Sequence, residues 1–487
     1  MSKMRSCTKA GILFALWAAT AVALPAQTFE RLHSFKYTDG WAPWAPLVQA
    51  SDGNLYGTVS SGGNPSCSGG GYSTGCGTVF QITPGGKLTT VFFFDGTNGS
   101  APQAGLVQAA NGDFYGSTFA GGTGNFEGLC PNNCGTIFTV TASGTLTTLY
   151  NFSFTDGAGP TGTLILGADG NYYGTTSGGG PSNAGTFFKI TPSGTLTTLY
   201  TFADLTDGAN PYGTLVQTLD GNFYGTAWQG GPNTFGTVFT ITPNGTFTML
   251  HAFENTDGSL PYAGLVQGYY GDFYGVTEEG GTYSYGTVFK ITPSGTLTTL
   301  HSFSGGLDGD TPTSTLIQAT DGNLYGTASY DGLYPNFGTV FKITTSGELT
   351  TLFNFDSKDG SYPYAALVQA TNGGFYGTTY DGGGSRACPY GYGCGTVFSL
   401  SVGLGPFVET VPTSGNVGAA VRILGTNLKG ATSVTFNGTA ATFQVISKSE
   451  IDTSVPSGAT AGPVRVTTTV EGIKNTLKSN TTFQVTE

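Results

Sequence analysis

Charge is scarce in this sequence: Asp, Glu, Lys and Arg make up 9% of its 487 residues, where a quarter is common. Lys and Arg number 17 against 29 Asp and Glu, a net charge of −12. So acidic a chain, so poor in cations, is not expected to bind nucleic acid or an anionic membrane surface. Histidine occurs three times, at His33, His251 and His301. No HExxH, Walker or dinucleotide-binding motif is present. Without further histidines a Ser-His-Asp or Cys-His nucleophile has no base. No long amphipathic helix can be read anywhere. Glycine is abundant, with 80 copies, but not on a three-residue period, which excludes collagen. Aromatic residues at 13% exclude a disordered chain.

The only long apolar run is N-terminal. Lys3, Arg5 and Lys9 precede an apolar stretch from Gly11 to Leu24, followed by Pro25-Ala26-Gln27. A basic start, a short apolar core and small residues at its end predict a signal peptide over 1–26. The run is short for a membrane span, and no later segment is apolar enough to cross, so an exported chain without a transmembrane segment is expected.

What fills the rest is repetition. Tyr-Gly recurs at Tyr56, Tyr115, Tyr173, Tyr224, Tyr274, Tyr325 and Tyr376, with separations of 59, 58, 51, 50, 51 and 51. Gly-Thr-x-Phe begins at Gly77, Gly135, Gly185, Gly236, Gly286, Gly338 and Gly395. A third marker, [DN]-G-x-x-P, begins at Asp39, Asn98, Asp156, Asp207, Asp257, Asp308 and Asp359. Each unit reads as four short strands rich in Val, Phe, Tyr, Thr and Ile, and Asp-Gly or Asn-Gly supplies the first turn in most copies. Seven such units predict an all-β, seven-bladed β-propeller over 27–402, with an open β-solenoid as the alternative.

The chain ends of the array favour closure. The seventh copy lacks its fourth strand, whereas Phe29–Phe35 (FERLHSF) matches the fourth-strand consensus LTTLHSF. The N-terminal strand is therefore expected to complete the last blade and remove the open edge. Alternating strand direction then puts the long fourth-to-first and second-to-third connections on one rim, where function commonly sits.

After Gly405 the markers vanish, and short alternating strands over 405–487 predict an immunoglobulin-like β-sandwich without a disulfide. The repeat text DGNFYGT, GG and GTVFKITPSGTLTTL resembles the bacterial choice-of-anchor tandem-repeat family nicknamed gloVer, over about 29–402. That resemblance implies an exported protein and no particular activity. PFVETVPTSGNVGAAVRILGTNL and VTFNGTAATF resemble an IPT/TIG domain, which implies a spacer or interaction module.

Six cysteines follow the leader, in pairs Cys67/Cys76, Cys130/Cys134 and Cys388/Cys394. Each pair lies in one second-to-third-strand loop. The Tyr-to-Gly distance is 21, 20 and 19 in blades 1, 2 and 7, against 12 or 13 elsewhere, so only the lengthened loops carry cysteine. In an oxidising compartment three local disulfides are expected; zinc would need ligands from neighbouring loops. No metal, cofactor or catalytic residue is expected.

The histidines share a fourth-strand slot with Phe92, Tyr150, Tyr200 and Phe353, which predicts packing rather than catalysis. The Asp of the third marker is read as a turn cap. The rim departs most from the repeat at Trp228, Glu278, Glu279, Tyr330, Asp331, Tyr380 and Asp381, with Trp41, Trp44, Tyr212, Tyr262 and Tyr364 in the inter-blade loops. Flat aromatic faces beside carboxylates suit sugar rings. The leading expectation is a non-catalytic binding or surface-interaction protein with an extracellular glycan or surface protein as partner. A polysaccharide-active enzyme using Glu278, Glu279, Asp331 or Asp381 is the first alternative. A structural envelope component is the second.

Overall fold

The computed structural model describes residues 27–67, 75–123, 130, 132–330, 337–384, 388, 391–470 and 473–486. The expected leader, 1–26, lies outside them. Seven four-stranded antiparallel sheets follow one another, each with a two-residue first strand such as Val48–Gln49 and a fourth strand of six residues, as in Leu88–Phe93, or in the seventh sheet seven. The ring is closed as expected. Thr28–Ser34 pairs antiparallel with Thr396–Ser401, from Thr28 opposite Ser401 to Ser34 opposite Thr396, and completes the seventh sheet. A bulge between Arg31 and His33 repeats the one in blade 1 between Val79 and Phe80 and its partners.

The markers are the joints of this ring. Gly57 of the first Tyr-Gly faces Phe80 across the sheet, and a Cβ there would lie 2.7 Å from both the Phe80 ring and Leu47. The tyrosine beside it is buried and stacks on the next blade: Tyr56 on Phe114 at 4.3 Å, Tyr115 on Tyr172 at 4.0 Å, Tyr173 on Phe223 at 4.4 Å. The phenylalanine ending each fourth strand sits edge-on against the Gly-Thr-x-Phe ring of the following blade. The contact made by the N-terminal strand, Phe35 on Phe80 at 5.3 Å, is equivalent to Phe94 on Phe138 at 5.2 Å. Near the axis, glutamine side chains link neighbours: Ser51 N–H donates to Gln108 Oε1, and Thr371 N–H to Gln49 Oε1 across the closing seam.

Residues 409–486 form two packed sheets, of four and five strands, around Val421, Ile423, Phe436, Ile451, Val464, Val466 and Phe483. This is the expected immunoglobulin-like sandwich. It sits on the tight-turn face of the propeller. Ser449 Oγ donates to the Ser51 carbonyl at 2.8 Å, Arg422 to the Ala109 carbonyl at 3.2 Å, and Phe407 N–H to the Thr371 carbonyl at 3.0 Å. A groove of about 370 Å³ remains between it and blades 4 and 5, lined by Gln217, Leu219, Tyr269, Lys478 and Thr481.

The three expected disulfides are present: Cys67–Cys76, Cys130–Cys134 and Cys388–Cys394, with Cα–Cα distances of 5.7, 5.3 and 5.5 Å. Among the described residues, no helix is long and apolar enough to cross a membrane. Nor does any cluster of three or more His, Cys, Asp or Glu stand ready for a metal ion.

Candidate binding site at the loop face

The rim is built by one backbone device, used seven times. The residue before the proline of [DN]-G-x-x-P has a left-handed backbone in every blade, at Ala42, Ala101, Gly159, Asn210, Leu260, Thr311 and Tyr362, with φ between 52° and 62°. Its N–H crosses to the preceding blade, as from Leu260 to the Phe235 carbonyl at 2.9 Å. Its carbonyl accepts the N–H of the residue after the second strand, as from Glu278 to Leu260 at 3.1 Å and from Tyr380 to Tyr362 at 3.0 Å. The seam between blades thus fixes the backbone of the position that varies most. The sequence places Tyr330 and Asp331 of blade 6 where blades 4, 5 and 7 carry Trp228-Gln229, Glu278-Glu279 and Tyr380-Asp381; the pairing corrects this by one residue, with Ser329 in the first position and Tyr330 in the next.

The side chains gather in two aromatic groups. In blades 4 and 5, Tyr212 stacks on Tyr262 at 4.8 Å and meets Trp228 edge-on at 5.5 Å. The Trp228 indole N–H donates to Glu278 Oε2 at 2.6 Å. In blades 1, 6 and 7, Trp44 stacks on Tyr364 at 4.6 Å and meets Tyr380 edge-on at 5.3 Å. Tyr330 packs on Tyr362 at 5.1 Å and its hydroxyl lies 3.2 Å from that of Tyr364. The Trp44 indole also reaches the Tyr262 hydroxyl. Blades 1 and 5 are not neighbours in the ring, so this contact lies over the central axis. Trp44, Tyr212, Trp228, Tyr262, Glu278, Tyr364 and Tyr380 are all only partly buried.

The acidic positions have different fates. Glu278 is enclosed by the rings of blades 4 and 5. Burial pushes its carboxyl up to about 7; the Trp228 hydrogen bond opposes that rise and the neighbouring Glu279 adds to it. Glu279 is exposed, its backbone paired with Ser259. Asp381 accepts from the Trp41 indole at 3.3 Å across the closing seam, and burial raises its pKa. Asp331 lies outside the described residues. Glu278 and Asp381 thus bond to different tryptophans in different parts of the ring. Trp41 is buried in the wall, unlike Trp44.

The histidines have a role beyond the expected packing. His33, His251 and His301 each place Nε2 within 3.2 Å of the marker aspartate, Asp39, Asp257 and Asp308. Tyr150 and Tyr200 use their hydroxyls on Asp156 and Asp207 in the same way. Where the slot holds Phe92, the marker is Asn98. In these five blades the slot both packs and supplies a hydrogen bond to a turn, whereas Phe92 and Phe353 only pack. Sequence reading missed this because the two partners lie six or seven residues apart. It also passed over Tyr362, whose ring completes the second aromatic group.

Together, the closed ring, its disulfide-bonded loops and two aromatic groups on the loop face define a seven-bladed β-propeller carrying an immunoglobulin-like module on its opposite face. The chain belongs to the Gloeobacter/Verrucomicrobia repeat family, which matches residues 7–126, 66–270 and 256–442. Its C-terminal module matches the IPT/TIG domain over residues 407–485. No curated protein matches the sequence. Among solved structures, one similar chain is described as the extracellular domain of a hybrid two component system from B. thetaiotaomicron. It is 11% identical, with 93% of this chain and 58% of that chain covered and a TM-score of 0.52. This chain thus spans little more than half the length of that structure, and the likeness is one of fold. An aldose sugar dehydrogenase from Streptomyces coelicolor aligns at 13% identity over 77% of this chain and 99% of that one, with a TM-score of 0.41. An auxiliary nutrient binding protein from Bacteroides thetaiotaomicron aligns at 13% identity over 74% and 69%, with a TM-score of 0.39.

Proposed function

We propose that this is an exported binding protein that takes a saccharide on the loop face of the propeller, without catalysis. One observation carries the reading: partly exposed aromatic rings of blades 4 and 5 stand beside the carboxyl of Glu278, and Trp44, from a second aromatic group on the same face, reaches Tyr262. Ring faces offer apolar area to sugar C–H groups, and a carboxylate and tyrosine hydroxyls accept and donate to sugar hydroxyls. The rigid seams beneath keep the rings in place before a ligand arrives, which lowers the entropy lost on binding. Export is supported by the N-terminal sequence and by three disulfides, which persist in oxidising compartments.

Glycan-array screening followed by calorimetry tests the proposal. A saccharide is expected to bind, and Trp228→Ala and Tyr380→Ala are each expected to weaken it at least tenfold. Absence of binding to any saccharide, or two silent variants, removes the reading. A second reading, polysaccharide cleavage with Glu278 as a general acid, draws on a carboxyl that titrates near neutrality. Turnover of a polysaccharide that is abolished in Glu278→Gln would favour it.

A further inference from the structure

Glu278 stands out among the acidic residues. Its carboxyl is flanked by Tyr212, Trp228 and Tyr262, and one of its oxygens is held by an indole N–H. Among the described residues, the ion pairs engage Asp39, Asp257, Asp272, Asp308 and Glu450, and none engages Glu278. The titratable groups that face it are Glu279 on its own loop, which is like-charged, and the Tyr212 and Tyr262 hydroxyls from the loops of blades 4 and 5. Among the described residues, no cation is one of them. Two stacked tyrosines, and a tryptophan set edge-on to one of them, stand beside an acid that the tryptophan holds. Aromatic faces attract a cation through their quadrupole, and a desolvated carboxylate adds full charge complementarity. Anionic or neutral ligands would leave that charge uncompensated. The net charge of −12 also draws cations toward the surface.

We propose that the Tyr212–Trp228–Tyr262–Glu278 cluster is a site for an organic ammonium group, so that the saccharide bound at the loop face is an amino sugar. This inference rests on the saccharide reading and names the ligand class of that same site. Binding of a cation favours the ionised carboxylate. Affinity for a permanently charged ligand therefore rises with pH through the neutral range, where Glu278 gives up its proton.

The test is isothermal titration of the chain with two pairs of probes. Oligomers of glucosamine and of N-acetylglucosamine differ in charge at one nitrogen per ring. Choline and 3,3-dimethylbutan-1-ol share a shape, but only choline is charged. Glucosamine oligomers at pH 6.5 and choline at pH 8 are each expected to bind at least tenfold tighter than the neutral partner. Choline binding is expected to weaken severalfold at pH 5.5. Glu278→Gln is expected to lose the preference for charge while melting at pH 5.5 no lower than the wild type, since the folded Glu278 side chain is then neutral too. Trp228→Phe, which keeps a ring but drops the indole N–H, provides a second variant and is expected to keep a preference for the charged probe. Equal binding of charged and neutral probes, or a Glu278→Gln variant that still prefers choline, overturns the inference. If N-acetylglucosamine oligomers bind without any preference for charge, the amino-sugar assignment falls and the saccharide reading stands. If no saccharide and no choline binds, both fall.

Discussion

A single carboxyl carries much of the chemistry of the loop face. Glu278 is partly buried among rings, and its proton affinity is raised chiefly by burial, to about 7 against an ordinary 4.5. The consequence for stability has a definite sign. An acid with a raised folded pKa contributes fully below the unfolded value of 4.5, and that contribution is lost as pH rises to about 7. Wild-type protein should therefore lose about 2 kcal/mol between pH 4.5 and 7 from this group, allowing for partial solvent screening. Glu278→Gln should flatten that part of the profile, as measured by denaturant melts across the range. A second residue-scale prediction concerns the turn caps. In His251→Phe, Asp257 Oδ2 loses the donor now 2.8 Å away. A loss of about 1 kcal/mol is expected, and His251→Tyr should recover most of it, because Tyr150 and Tyr200 already do the same work in blades 2 and 3.

The strand and its seams are the next scale. Each blade is too small to bury its faces alone, so the joints between blades decide stability. Gly225 in blade 4 repeats the setting of Gly57: an added Cβ would lie 2.6 Å from Leu215 and 2.8 Å from the Phe239 ring. Gly225→Ala should cost about 1–3 kcal/mol through overpacking, read as a lowered melting temperature. Phe35→Ala should cost about 3–5 kcal/mol, because it empties the seam that holds the N-terminal strand against blade 1. Reducing the disulfides should destabilise the extended loops by about 2–3 kcal/mol per bridge, seen as a lower melting temperature in reductant. Much of this scale was legible in the sequence. Seven in-phase markers gave the blades, and the FERLHSF match gave the closing strand. In blade 6 the two markers disagree: Tyr325 lies four residues before Ser329, as Tyr274 lies before Glu278, but counting back from Gly338 through a loop one residue longer gives Tyr330, and the pairing of Asp310 with Tyr330 decides for the first.

In the whole molecule the two faces of the ring are unequal. The loop face carries two aromatic groups, and the tight-turn face carries the IPT/TIG sandwich. That contact includes hydrogen bonds of Arg422, Ser449 and Thr426. An Arg422→Ala, Ser449→Ala double variant should loosen the sandwich from the ring, raising the radius of gyration in small-angle scattering while leaving loop-face binding unchanged. Opposite placement leaves the loop face uncovered by the sandwich.

Composition and periodicity alone determined the fold of this protein. A strand period, a turn and a packing phenylalanine are local demands, and seven copies of them leave few ways to bury the faces except a closed ring. The disulfide pairs were equally local, since each bridge spans one loop. Only the tertiary structure decided which rim residues meet. Trp44 and Tyr262 are more than two hundred residues apart and belong to blades that do not touch in the wall. They come together because closing a ring brings every loop of one face to a common axis, a distance that no spacing in the chain encodes.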